Sequence, residues 1–157
     1  MSLFDSIFGK KKKKDSKNKE KKDEKKDKAK IRKVWGIDHE LLQSLFEISK
    51  ETHPNEFAAV LRYDKARGVI NEFMPLPGTL SGETSATLRL DMLPIDYSVV
   101  GVVHSHPTPY GFFPSGEDLF LFEKFGHTHI IIAYPYNISS WKAYDFAGNM
   151  IELEVVY

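Results

Sequence analysis

A chain of 157 residues has room for one domain with a real core and not for two. It holds no cysteine, which excludes a disulfide framework, a thiol nucleophile and a cysteine-ligated zinc. Its formal net charge of zero hides a segregation: residues 1–33 carry 15 Lys+Arg against 6 Asp+Glu, and residues 34–157 carry 7 against 16, or +9 and −9.

That split sets the expected organisation, a basic tail over 1–33 and an acidic globular domain over 34–157. Residues 10–33 are nearly all Lys, Asp, Glu, Ser and Asn, too polar to offset their ordering entropy, so the tail is expected to be disordered. At its start Leu3, Phe4, Ile7 and Phe8 fall at helical spacing ahead of Lys10 to Lys14. Such a short amphipathic start can rest on an anionic membrane surface through residues 1–14, lysines on phosphates and apolar groups inserted. The plainer reading is a solvated leader. Nucleic-acid contact through these lysines would be sequence-independent and salt-sensitive, so no specific nucleic-acid binding is predicted. No apolar run approaches the roughly 18 residues of a membrane span, and the start lacks a secretory core. A cytoplasmic protein, peripheral at the membrane if the tail docks there, is the expectation.

In the domain, Asp38 is placed to cap a helix bearing Leu41, Leu42, Leu45, Phe46 and Ile48, which ends near Thr52 and is stopped by Pro54. Glu56 to Tyr63 reads as a strand, Asp64 to Gly68 as a turn, and Val69 to Met74 as a second strand. Pro75, Pro77 and Gly78 interrupt the chain; Ser85 to Leu90 alternates as a strand, and Asp91 to Tyr97 suits a helical turn. Val99 to His104 is apolar enough for a buried central strand. After a loop from Pro107 to Pro114, Ser115 to Phe125 reads as a helix closed by Gly126. Strands at His129 to Ala133, Trp141 to Phe146 and Met150 to Val156 complete an α+β domain, a sheet flanked by two main helices.

The chemistry gathers at His104-Ser105-His106-Pro107 and Ser115-Gly116-Glu117-Asp118. Histidines two apart on a strand point the same way and can grip one ion together. Asp118, three residues after a capping Ser115, can add a ligand from the first turn of the next helix. Two histidines and one carboxylate leave a fourth tetrahedral position for water, the pattern of a catalytic zinc rather than a structural one. His127-Thr128-His129 repeats the His-x-His spacing without a carboxylate, and is read as a surface helix exit entering a strand. A hydrolytic site also needs a base. Glu56, opening an apolar strand, is the leading candidate, although a carboxylate at a strand edge has an equally good solvated role.

These residues resemble the JAMM (MPN-type) metalloprotease family, whose signature is a distant Glu, His-x-His-Pro and Ser-x-x-Asp. Over about residues 37–156, His53-Pro54-Asn55-Glu56-Phe57, Leu90-Asp91-Met92-Leu93-Pro94 and Ile151 to Val156 also resemble archaeal members. The resemblance implies a mixed sheet curved around and flanked by two helices. It also implies one Zn2+ per chain with a bound water, held by His104, His106 and Asp118, with Glu56 as general acid/base and Ser115 as a donor to the oxyanion. The activity implied is hydrolysis of the isopeptide bond between a lysine and the C-terminal glycine of a ubiquitin-like or sulfur-carrier protein. Two alternatives stand beside it, a hydrolase of a sulfur carrier's small C-terminal adduct and a non-catalytic MPN scaffold. One departure is that eight residues separate His106 from Ser115, one more than the family usually has.

Overall fold

The computed structural model describes residues 34–75 and 97–157. The expected disorder of the tail and the membrane contact of Leu3, Phe4, Ile7 and Phe8 lie outside the described residues. So do the strand expected at Ser85 to Leu90 and all but the last residue of the turn expected at Asp91 to Tyr97.

In chain order the elements are β1 (Gly36–Asp38), α1 (His39–Thr52), β2 (Ala58–Asp64), β3 (Val69–Pro75), β4 (Val99–Pro109), α2 (Gly116–Lys124), β5 (His129–Tyr134), β6 (Trp141–Tyr144), β7 (Met150–Ile151) and β8 (Glu154–Val156). Among the described residues these strands form one mixed sheet in the order β7-β6-β5-β4-β2-β3-β1-β8. β4–β5, β1–β3 and β1–β8 are parallel pairs; the other neighbours run antiparallel. No described helix is long and apolar enough to cross a membrane.

Strand periodicity divides the core between the two faces of this sheet. Phe57, Ala59, Leu61, Val103, Ile130 and Ile132 pack with Leu41, Leu42, Leu45 and Phe46 of α1. Ala58, Val60, Val102 and Ile131 pack with Phe122 and Phe125 at α2. A fully buried Leu or Ile contributes roughly 1.5–3 kcal/mol, so the apolar runs of β2, β4 and β5, buried on both faces, supply most of the driving force.

At several elements the structure departs from the sequence reading. Asp38 is the N-cap of α1, but its side chain makes no capping bond; it is taken by Arg67, with Oδ1 and Oδ2 at 2.7 and 3.1 Å from the guanidinium. β1 was not expected, because three residues are too few to show a period, and it forms only by pairing with β3 and β8. The single strand expected over Met150 to Val156 is two, β7 against β6 at one edge of the sheet and β8 against β1 at the other. β4 runs on to Pro109, past the histidine pair, because β5 pairs with it in parallel as far as Pro109–Tyr134.

Gly101 of β4 is demanded by close approach. A Cβ there would lie 1.8 Å from the Thr128 carbonyl oxygen, where the chain entering β5 crosses with His127 and Thr128 amides bonded to Val100. Backbone on both sides cannot give way as a flexible side chain could. Gly101→Ala is therefore expected to cost at least about 2 kcal/mol, at the upper part of the range for overpacking. Urea unfolding should show a lowered midpoint with an unchanged slope; an unaltered midpoint would show that the crossing is slack.

Candidate metal centre

β2 and β4 assemble the site by their register. Ala58 pairs with His104, and one step further Ser105 and Phe57 close the ladder: the Ser105 amide donates to the Phe57 carbonyl at 2.9 Å. The Phe57 amide donates to Ser105 Oγ at 2.7 Å. The same register sets Glu56 opposite His106. Glu56 lies just before β2 rather than opening it, and it is half-buried. His104 and His106 share the parity of Val102, whose side chain packs on the α2 face, so that helix is the one able to meet them.

Ser115 begins α2 with a complete capping box. Its Oγ accepts from the Asp118 amide at 3.1 Å, and the Ser115 amide donates to Asp118 Oδ2 at 2.8 Å. The cap thereby aims Asp118 back at β4. Asp118 Oδ1 lies 3.6 Å from His104 Nδ1, and Oδ2 lies 3.4 Å from His106 Nε2. His104 and Asp118 are only 4% and 5% exposed, so this is an interior cluster and not a surface ion pair.

Burial pushes the His104 imidazole down to about 4, the Asp118 charge only partly offsetting it. Burial opposes ionisation of Asp118 too, but His106, the Ser115 amide and His104 outweigh it and hold the carboxyl at about 2. At neutral pH the cluster thus offers an uncharged imidazole and an ionised carboxylate. The Asp118 contact raises His106, against its own burial. His106 Nδ1–H donates to the Gly111 carbonyl at 2.8 Å, which leaves the Nε2 lone pair facing Asp118. His104 Nε2 is buried without a hydrogen-bond partner, a cost of about 1–3 kcal/mol that packing alone would not keep.

Among the described residues no three His, Cys, Asp or Glu side chains already converge as a finished cation cage. The donor types, two imidazoles and one carboxylate, nonetheless suit zinc. Both nitrogen–oxygen separations exceed a charge-assisted hydrogen bond of about 2.7–2.9 Å, and they run to different oxygens of Asp118.

Glu56 is the fourth acid-base group. Its own burial, with Asp118 and Glu117 adding to it and His106 opposing, raises its pKa above the ordinary glutamate value. The sequence-expected set of Glu56, His104, His106, Ser115 and Asp118 is therefore brought together around the middle of β4. Sequence reasoning missed the groups that hold it. The longer loop supplies the Gly111 carbonyl; it takes up its extra length by a register shift between His106 and Pro109 and a left-handed Tyr110. Tyr144 Oη–H donates to the Phe112 carbonyl and ties that loop to β6. His53 Nδ1 and the Tyr136 hydroxyl share a 2.7 Å hydrogen bond that fastens the segment before Glu56 to the turn after β5. Backbone carbonyls carry no residue-type signal, whereas Ser105, lying between the two histidines, could have been singled out.

The His127-Thr128-His129 reading needs correction, because His129 is fully buried and not a surface residue. The Val102 amide donates to its Nδ1 at 3.1 Å, its Nε2–H donates to the Phe122 carbonyl at 3.0 Å, and its ring stacks on Phe122. It is a core strut with both nitrogens spent.

The same architecture recurs in solved structures. One, described as a JAMM metalloprotease-like zinc site in the proteasome and signalosome, is 39% identical, with TM-score 0.62, over 79% of this chain and 99% of that one. A JAB1/MPN domain protein from Archaeoglobus fulgidus is 38% identical, with TM-score 0.62, over 78% of this chain and 98% of that one. Fold and site together define a JAB1/MPN-type domain. A Haloferax volcanii protein named as a probable metalloprotease is 40% identical over 133 residues, 80% of this chain and 81% of that protein. The prokaryotic homologs of the JAB domain match residues 38–144, and the chain belongs to that family.

Burial pushes His129 down to about 4, its carbonyl partners only partly opposing. Between pH 6.5 and 4 the unfolded chain then binds more protons than the folded one, so this stability is present above pH 6.5 and is lost as pH falls toward 4. The loss expected is on the order of 3 kcal/mol. Urea unfolding of wild type and His129→Asn at pH 7 and pH 4.5 checks it: the variant should show the smaller drop, and equal drops would refute the assignment.

Proposed function

We propose that this chain is a zinc-dependent hydrolase of the metalloprotease type, cleaving the isopeptide bond between a substrate lysine and the C-terminal glycine of a ubiquitin-like modifier. The observation that carries the reading is the interior cluster of His104, His106 and Asp118, ring nitrogens 3.6 and 3.4 Å from the Asp118 carboxylate, with the raised carboxyl of Glu56 across from His106. The zinc site of the related structure and the name of the Haloferax protein support it.

His104, His106 and Asp118 would hold the ion. When bound, zinc supplies a Lewis acid that polarises a carbonyl and lowers the pKa of water to about 7. The protein's own groups do the rest. Glu56, its proton affinity raised by burial toward working pH, takes the proton from the attacking water and returns it to the departing lysine amine. Ser115 spends an Oγ lone pair on its cap, and its hydroxyl proton remains the one to aim at the developing oxyanion. Gly111 keeps His106 in the tautomer whose Nε2 can ligate. Modifier and conjugate are the partners this chemistry calls for.

The test is metal content of the purified chain beside cleavage of a lysine-linked ubiquitin-like conjugate, with and without chelator. About one zinc per chain and chelator-sensitive cleavage are expected. Zinc without cleavage would point to the small-adduct hydrolase, and neither would point to the scaffold. Glu56→Gln should keep zinc and lose about 100-fold or more in rate, because a base and not a ligand is removed. His106→Ala should lose zinc and activity together; unchanged metal content would remove it from the ligand set.

A further inference from the structure

We propose that Ser105 is a positioning residue for the base: from between the two histidines it fixes the peptide that carries Glu56 against the metal-binding strand. This rests on the hydrolase reading above and adds to it a residue outside the ligand, base and oxyanion roles.

The amide that donates to Ser105 Oγ belongs to Phe57, and is therefore the N–H of the Glu56–Phe57 peptide bond. At 2.7 Å it is a short bond, and the partner ladder bond from the Ser105 amide to the Phe57 carbonyl, at 2.9 Å, makes the contact reciprocal. Both residues are buried, Ser105 at 1% exposed and Phe57 at 8%, so no water competes for the donor. β2 itself begins only at Ala58, so ordinary strand pairing stops short of Glu56. One backbone bond carries the pairing to Phe57, and the hydroxyl adds the tie on the amide that follows Glu56. Alternation explains the position: with His104 and His106 turned toward α2, the residue between them is free for this task. Alanine at 105 would leave the Phe57 amide buried and unpaired, and would let Glu56 drift relative to His106.

The experiment uses full-length Ser105→Ala and Ser105→Thr. Zinc content, kcat and KM on a peptide bearing a Gly-Gly isopeptide on lysine are measured beside hydrogen exchange of the Phe57 amide. Ser105→Ala is expected to keep zinc and KM, to lose on the order of 100-fold in kcat, and to speed exchange of the Phe57 amide about tenfold. Ser105→Thr, which keeps the hydroxyl, should restore both. If the alanine chain does not fold, Ser105→Cys, close in volume and a weak acceptor, should show a partial form of the same changes. An unchanged Phe57 exchange rate, or a kcat loss that threonine does not restore, overturns the proposal. If the wild type leaves the peptide uncut, it is the hydrolase reading that fails on that substrate, and Phe57 exchange still decides whether Ser105 holds that peptide.

Discussion

The antiparallel pairing of β2 with β4 is the constraint on which the rest of the site depends. One register, Ala58 on His104, sets a carboxylate opposite a pair of histidines about fifty residues later in the chain. A slip by one residue would turn every side chain of one strand to the opposite face. Glu56 would then face α1 and the histidines α2, and the donor set would be divided between two cores. The buried runs Ala58 to Leu61 and Val100 to Val103 forbid such a slip, because each residue already fills a place on one face or the other. The geometry of this cluster is thus secured by hydrophobic packing several residues away from it.

That scaffold offsets a real electrostatic cost. An uncharged His104 and a charged Asp118 are both interior groups, and an isolated carboxylate there would stay protonated. The capping box resolves this locally. The Ser115 amide gives Asp118 a hydrogen bond, and its place in the first turn of α2 puts it at the positive end of the helix dipole. The helix start therefore has two uses at once: it ends its own orphan amides and it keeps an anion where a cation would be bound. His129 shows the contrasting case. It too is buried and depressed, but with a donor to Nδ1 and acceptors for Nε2–H it has nothing left to offer an ion, whereas His104 turns Nδ1 toward Asp118 Oδ1 at 3.6 Å.

Most of this was legible in the sequence, and the reasons for what was not are physical. Helix α1 was readable because its apolar positions repeat with the helical period, and α2 because Ser115 and Asp118 form a recognisable cap. Metal-type donors at fixed spacing pointed to His104, His106 and Asp118; Glu56 was the leading base candidate because it opens an apolar run, and family resemblance added weight against its equally good solvated role. Only the three-dimensional register gives that choice a mechanism. β1 and the division of the last strand into β7 and β8 were invisible because both exist through partners far away in sequence. Asp38 was right as a position and wrong as a contact: Arg67, arriving from the turn after β2, offers its carboxylate a two-toothed partner that the helix amides cannot match.

The long loop between His106 and Ser115 shows how the extra length is accommodated without moving the site. Added residues in a surface loop cost little entropy, so what matters is whether both ends stay fixed. At one end β5 continues to pair with β4 up to Pro109, skipping register after His106; at the other the capping box fixes Ser115. Between them the chain turns through a left-handed Tyr110, a conformation uncommon for a residue with a side chain. Directly after that turn come the carbonyl of Gly111, on His106, and the carbonyl of Phe112, on Tyr144. Gly111 itself is needed there, since a Cβ would meet Thr108 Oγ1 at 2.6 Å. The loop is therefore spent on orienting His106, while its aromatic side chains Tyr110 and Phe113 are exposed. A loop that fixes a ring nitrogen through its backbone leaves its side chains free to vary without disturbing that contact.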